Sequence, residues 1–193
     1  MQPHILVILG STRQGRNGEA VARWVMQRTE HRPQATFELL DLRDWPLPFI
    51  DSPTPPATGQ YDPAALRWAE KIGTADGFVF VTPEYNHGYP AVLKNALDHI
   101  YHEWANKPGA IVSYGSYAAG YRAAEQLRQV LIELSIAPIR RQVGIPAVWA
   151  AFDEQGGIRD SAQDRAADAL LDELLWWTVA LRTARDANSA AAH

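Results

Sequence analysis

The sequence predicts a doubly wound α/β domain, a parallel sheet covered by helices on both faces. Three observations predict it. Apolar runs of strand length are continuous rather than alternating, which marks strands buried on both faces. Segments of helical periodicity separate these runs about five times over, the order that right-handed crossovers require. Polar loops rich in Gly, Ser and Tyr follow directly on the apolar runs.

The elements follow in order. Residues 5–9 are uniformly apolar, stop at Gly10 and predict the first strand. Val21, Trp24, Val25 and Arg28 fall on one face of the helix after it. Residues 36–42 alternate and then run apolar, a second strand. Six prolines from Pro46 to Pro63, with no periodicity, predict a long surface excursion rather than a linker between domains. Residues 64–72 are helical, and 77–81 form another fully buried strand stopped at Thr82-Pro83. Leu93, Ala96, Leu97, Ile100, Tyr101 and Trp104 keep helical spacing, so a single helix with one apolar face is expected through Trp104. Residues 110–112 form the next buried strand, and Leu127, Val130, Leu131 and Leu134 mark a helix. Residues 137–143 form a final, less apolar strand, and 166–185 a closing amphipathic helix. One domain is expected over 1–185, with a disordered tail at 186–193.

Composition limits the chemistry. A chain of 193 residues buries roughly 70% of its unfolded surface, enough for one core around a covered sheet. It has no cysteine, which excludes disulfides, thiolate zinc sites, iron–sulfur clusters and a thiol nucleophile. Any two-electron chemistry must then use other groups or a borrowed cofactor. A net charge of −4 without any block of Lys or Arg gives no field for nucleic acid. Met1-Gln2-Pro3-His4 leads straight into the first strand with no cationic leader, and the apolar stretch 174–181 is far shorter than a membrane span. A soluble cytoplasmic protein with no nucleic-acid or membrane partner is expected.

In an open parallel sheet, ligands bind beyond the carboxyl ends of the strands, where strand order reverses. Three loops lie there. The first, Gly10-Ser11-Thr12-Arg13-Gln14-Gly15-Arg16-Asn17-Gly18, precedes a helix and joins flexible backbone, hydroxyls, two guanidiniums and a positive helix end. It reads as an anion cradle, or else as a polar turn with two solvated arginines. Arg16-Asn17 stands where a P-loop has Lys-Ser/Thr, and Gly-x-Gly-x-x-Gly is missing, so a terminal monophosphate suits it better than a nucleoside triphosphate or a dinucleotide. The second, Thr82 to Pro90, offers Tyr85 and Tyr89 faces on a proline-stiffened backbone. That suits a planar heteroaromatic ring, although the prolines also serve simply to end a strand and start a helix. The third, Ser113-Tyr114-Gly115-Ser116-Tyr117-Ala118-Ala119-Gly120, allows close backbone approach or is a flexible small-residue turn. His99, His102 and Glu103 have metal-ligand chemistry but no fourth partner, so no metal is expected. Gly-x-Ser-x-Gly is lacking around Ser113 and Ser116.

Gly10-Ser11-Thr12-Arg13, Pro83-Glu84-Tyr85-Asn86 running through Pro90 to Leu93-Lys94-Asn95-Ala96-Leu97-Asp98, and Ser113-Tyr114-Gly115 occur in one order from about residue 5 to 143. In these the chain resembles the NADPH-dependent FMN reductase family of flavodoxin-like flavoproteins, which include NAD(P)H quinone, azo and flavin reductases. The resemblance implies a three-layer, doubly wound flavodoxin-like fold with five parallel strands in the order 2-1-3-4-5. It implies FMN as cofactor, its phosphate held by Ser11, Arg13, Arg16, Asn17 and Gly18. Pro83, Glu84, Tyr85 and Asn86 would line the isoalloxazine, with Ser113, Gly115 and Ser116 on its other side. Many relatives have Ser and Asn where this chain has Arg16 and Gly18, so a guanidinium grip on the phosphate is expected here. The implied activity passes hydride from NADPH or NADH to bound FMN and on to a small acceptor by ping-pong. Free flavin, a quinone, an azo compound and a metal oxyanion all remain open as acceptor. No catalytic acid or base is assigned, because the chemistry belongs to the flavin. A homodimer or homotetramer is implied, with the helix of Lys94, Asp98 and Trp104 as its candidate surface. Two alternatives remain: an electron-transfer protein of flavodoxin type, and a non-enzymatic FMN-binding, redox-responsive protein.

Overall fold

The computed structural model describes residues 2–191. Strand β1 (His4–Leu9) takes an inner position in the sheet because residues 5–9 are all apolar and at most 1% exposed, which leaves no side for solvent. Helix α1 (Gly18–Thr29) carries the chain to the edge strand β2 (Thr36–Asp41), whose Thr36 and Leu39 are exposed. Helix α2 (Pro63–Gly73) starts where Pro63 fits the first turn and the Asp62 carboxylate accepts from the amides of Ala64 and Ala65. It delivers β3 (Gly77–Pro83) to the other side of β1. That reversal of direction is the switch point of the sheet.

Three further units follow: α3 (Ala91–Asp98) and β4 (Pro108–Tyr114), α4 (Tyr121–Glu133) and β5 (Ala137–Ile145), then α5 (Ser161–Ala191). All strand pairs are parallel and their order is β2-β1-β3-β4-β5. This is the order expected. Two apolar layers sandwich the sheet. One packs Val21, Trp24 and Val25 of α1 and Leu170, Leu171 and Leu174 of α5 on Val7, Val79 and Val112. The other packs Trp68 and Ile72 of α2, Leu97 of α3 and Leu127 of α4 on Leu6, Phe78, Phe80 and Ile111.

Two elements depart from expectation. The helix expected through Trp104 ends at Asp98, and a short 3-10 turn, His102–Trp104, follows. Tertiary bonds replace helical ones there. His99 Nε2 lies 2.7 Å from the carbonyl of Pro48, the Tyr101 amide donates to the Tyr61 hydroxyl, and the Trp104 indole donates to the carbonyl of Leu97. Trp104 is buried against Phe78, Phe80 and Trp68, so it belongs to the core and not to a subunit surface. The last helix continues beyond the expected end at 185, through Ala191. Arg182 pairs with Asp186 one turn on, and Arg182 and Arg185 reach Asp76 at the foot of the sheet, which anchors that stretch. Residues 192–193 of the expected tail lie outside the described residues.

Candidate functional site

The carboxyl ends of β1, β3 and β4 lie side by side, which brings the three loops together. They enclose a cleft of about 170 Å³ lined by Arg13, Arg16, Asn17, Pro83, Glu84, Tyr85, Tyr114, Gly115, Val148 and Trp149. A larger groove of about 530 Å³ runs under Trp45 and Leu47 beside α2. The smaller cleft is the candidate site, because a helix start, two guanidiniums and three strand ends converge there.

In the first loop the two arginines have different tasks. Arg16 is buried. Its guanidinium makes a two-pronged bond to the carboxylate of Asp41 at the end of β2, and also reaches Glu19 and the carbonyl of Ser11. Burial opposes its charge, but the bonds to Asp41 and Glu19 outweigh that and raise its pKa above the ordinary range. Burial likewise pushes Asp41 up, yet Arg16 and the Arg43 amide pull its carboxyl below the usual carboxylate range. The guanidinium grip expected from Arg16 is therefore directed at Asp41. Arg13 is exposed, has no ion-pair partner among the described residues, and makes only a long bond to the Gly15 carbonyl. Arg43 holds the loop backbone from outside, donating to the carbonyls of Thr12 and Arg13 and to Glu19. Asn17 caps α1 through its carbonyl. A Cβ on Gly18 would collide with the Tyr114 hydroxyl and lie 2.7 Å from Leu9 Cδ1, so only glycine fits there.

The second loop is a miniature hairpin. Tyr85 and Gly88 exchange both backbone bonds, and Asn86 and His87 between them have φ of 50° and 70°, the double left-handed pair of a type I′ turn. The turn exposes Asn86 beyond the cleft and leaves the Tyr85 ring on its wall. Tyr85 Oη lies 2.7 Å from Ser11 Oγ, which ties the second loop to the first. Glu84 is clamped to α4, accepting from the Arg122 amide and guanidinium. Burial, then Asp98, pushes the Tyr89 phenol up to about 12.

The third loop divides its residues differently. Ser113 is buried and donates to the carbonyl of Ala119, so its hydroxyl faces structure rather than the cleft. Gly115 lines the cleft, held by β5 and by the turn after it: its amide donates to Ile145 and its carbonyl accepts from Val148. Ser116 is exposed and uses its carbonyl to accept from Ala119 and Ala147. Tyr117 and Trp149, 88% and 61% exposed, meet edge to face at 6.4 Å above this rim.

Three residues that matter here escape the loop motifs, and the role of a fourth is not legible there. Asp41 and Arg43 lie beyond the first loop, on β2 and the turn after it, and their partnership with it depends on strand pairing. Tyr114 stood in the quoted motif, yet the sequence does not show that its hydroxyl is buried with no hydrogen-bond partner. Trp149 lay past the last motif. Among the described residues no cluster of His, Asp and Glu is placed to hold a metal ion. His99 and His102 meet the carbonyls of Pro48 and Ala57 and strap down the proline-rich excursion.

The strand order and the layering define a flavodoxin-like protein. Residues 3–150 match the model of the NADPH-dependent FMN reductase family, and the chain belongs to that family. It is 45% identical over 149 residues to an NAD(P)H-dependent FMN reductase of Schizosaccharomyces pombe, covering 75% of this chain and 74% of that one. It is 32% identical over 159 residues to an NADPH:quinone oxidoreductase of Arabidopsis thaliana, covering 79% and 80%. The fold is similar to that of the flavoenzyme NAD(P)H:(acceptor) oxidoreductase FerB from Paracoccus denitrificans, with a TM-score of 0.74 at 20% identity over 91% of this chain and 97% of that one.

Proposed function

We propose that this FMN-dependent NAD(P)H oxidoreductase holds its cofactor across the three loops and reduces small acceptors, quinones among them, by a ping-pong cycle at one open face. The observation that carries the placement is Arg13, without an acidic partner among the described residues, beside a buried hydroxyl with no hydrogen-bond partner at the N-terminus of α1, donors that suit a phosphate. The residues present fit FMN. Arg13 and the first amides of α1 hold the phosphate, with Asn17 and Gly18 shaping the backbone. Arg16, locked to Asp41, positions the loop and adds positive potential. Ser11 fixes Tyr85 through their hydroxyls, and Pro83, Glu84 and Tyr85 form one wall for the ring. Gly115 brings backbone close on the other side, with Ser113 and Ser116 holding that loop in shape. When bound, FMN supplies the hydride chemistry. The side chains position it and limit water, and none is assigned as a proton donor or base.

The quinone reading follows the names of the relatives, and the exposed Tyr117–Trp149 pair suits a flat aromatic acceptor. A homodimer or dimer of dimers and a cytoplasmic location complete the reading. Among the described residues no helix is long and apolar enough to cross a membrane. Trp176, Trp177 and Val179 give α5 an exposed apolar stretch suited to a subunit contact. Steady-state rates with NADPH and a quinone both varied are expected to give parallel double-reciprocal lines. Intersecting lines would rule out the shared face.

A further inference from the structure

Among the described residues, one buried side-chain oxygen has no hydrogen-bond partner, the hydroxyl of Tyr114. Tyr114 ends β4, is 3% exposed and packs its ring in the core beside Leu9 and Ile145. An unpaired buried hydroxyl destabilises a fold, and phenylalanine would fill the same space without it. The place of this oxygen gives it a purpose. It lies against Gly18, the first residue of α1, on the cleft shared with Arg13, Arg16 and Asn17. There the helix dipole is positive and favours an anion. Burial above all, then Tyr85, pushes the phenol well above its ordinary range, so it remains an O–H donor at every working pH.

We propose that the Tyr114 hydroxyl donates a hydrogen bond to the phosphate of FMN and is a binding residue of the cradle alongside Arg13 and the start of α1. This rests on the reading of the cleft as the FMN site. Arg43 pins the carbonyls of Thr12 and Arg13, which holds the loop backbone in place beside the cleft that Tyr114 lines. Gly18 then has a second reason to be glycine, since any side chain would stand between the hydroxyl and the helix end.

The test is Tyr114→Phe, read by flavin fluorescence titrations with FMN and with riboflavin, which lacks the phosphate, and by urea unfolding of flavin-free protein. FMN is expected to bind tenfold or more weakly, riboflavin to bind as before, and the flavin-free variant to be at least as stable as the parent. Unchanged FMN affinity overturns the proposal, and so does an equal loss for both flavins. A flavin-free variant less stable than the parent also overturns it, because the hydroxyl would then serve the fold. Parent protein that binds neither flavin overturns the reading of the cleft itself.

Discussion

The two edges of the sheet treat buried polar groups in opposite ways. At the amino edge, Lys107 is buried but donates to the carbonyls of Ile72 and Gly73 at the end of α2 and lies 5.7 Å from the Phe78 ring centroid. Asp76 beside it accepts from the His4 amide and from Arg182 and Arg185. At the carboxyl edge, Arg16 is as well paired as these, yet among the described residues Arg13 has no acidic partner and the Tyr114 hydroxyl has no hydrogen-bond partner. Among the described residues, four of the six positive-φ residues other than glycine, Asn86, His87, Ala119 and Ala147, also lie at this edge. The difference separates strand ends whose polar groups are satisfied by the chain itself from strand ends that keep donors for the proposed ligand.

Substitutions can break or sharpen that contrast. The largest effect is expected from Gly18→Ala, where the new methyl collides with Tyr114 and Leu9. Such overpacking costs about 3 kcal/mol, and FMN binding should disappear with it. Urea unfolding checks the first, and a loss under about 1 kcal/mol would show that the helix start can shift. Asp41→Asn comes next. It leaves the Arg16 charge buried without its counter-ion, at a cost of about 2–3 kcal/mol, less than for a fully buried pair because Asp41 keeps contact with water. The pairing also has a pH signature. Asp41 titrates lower in the folded state, so its contribution is present above the ordinary carboxylate pKa and disappears as pH falls through the folded value. The parent should therefore lose stability more steeply with acid than the Asp41→Asn variant, whose acid limb is flatter and whose stability approaches the parent's at low pH.

Arg13→Ala is expected to weaken FMN about tenfold, the loss of one charge-assisted bond, while changing stability by no more than about 0.5 kcal/mol. A matching loss of stability would place Arg13 with Arg16 as a structural group. Lys107→Met tests the other edge. Burial first, then Arg185, lowers the Lys107 pKa from 10.5 to about 8. Between about pH 8 and 10 the unfolded chain therefore binds more protons than the folded one, and stability rises with pH, by about 3 kcal/mol. The rise should be missing from the Lys107→Met variant in thermal melts. Lys94→Ala, which removes an exposed one-turn pair with Asp98, should change stability by about 0.5 kcal/mol or less.

Much of the frame was legible in the sequence because burial on both faces leaves a plain mark. Residues 5–9 and 77–81 are apolar without alternation and became β1 and β3, and the loops after β1, β3 and β4 were marked by glycines, hydroxyls and arginines. Partners distant in the chain were not legible. Arg16 and Asp41 are 25 residues apart and meet only because β2 lies beside β1. The apolar stripe of residues 93–104 kept helical spacing across a break, because Ile100 and Trp104 enter the same core from a turn. The tryptophans show the same limit. Trp68 is core and Trp45 packs on it, whereas Trp149 and Trp176 are exposed, and nothing in their local sequence separates the two groups.

The central claim is that the carboxyl edge is kept for a flavin held by its phosphate. Equilibrium titration of the parent protein with FMN and riboflavin, side by side, tests it most directly. Two or more charge-assisted bonds to the phosphate predict FMN binding about a hundredfold tighter. Equal affinity for the two flavins would contradict the account.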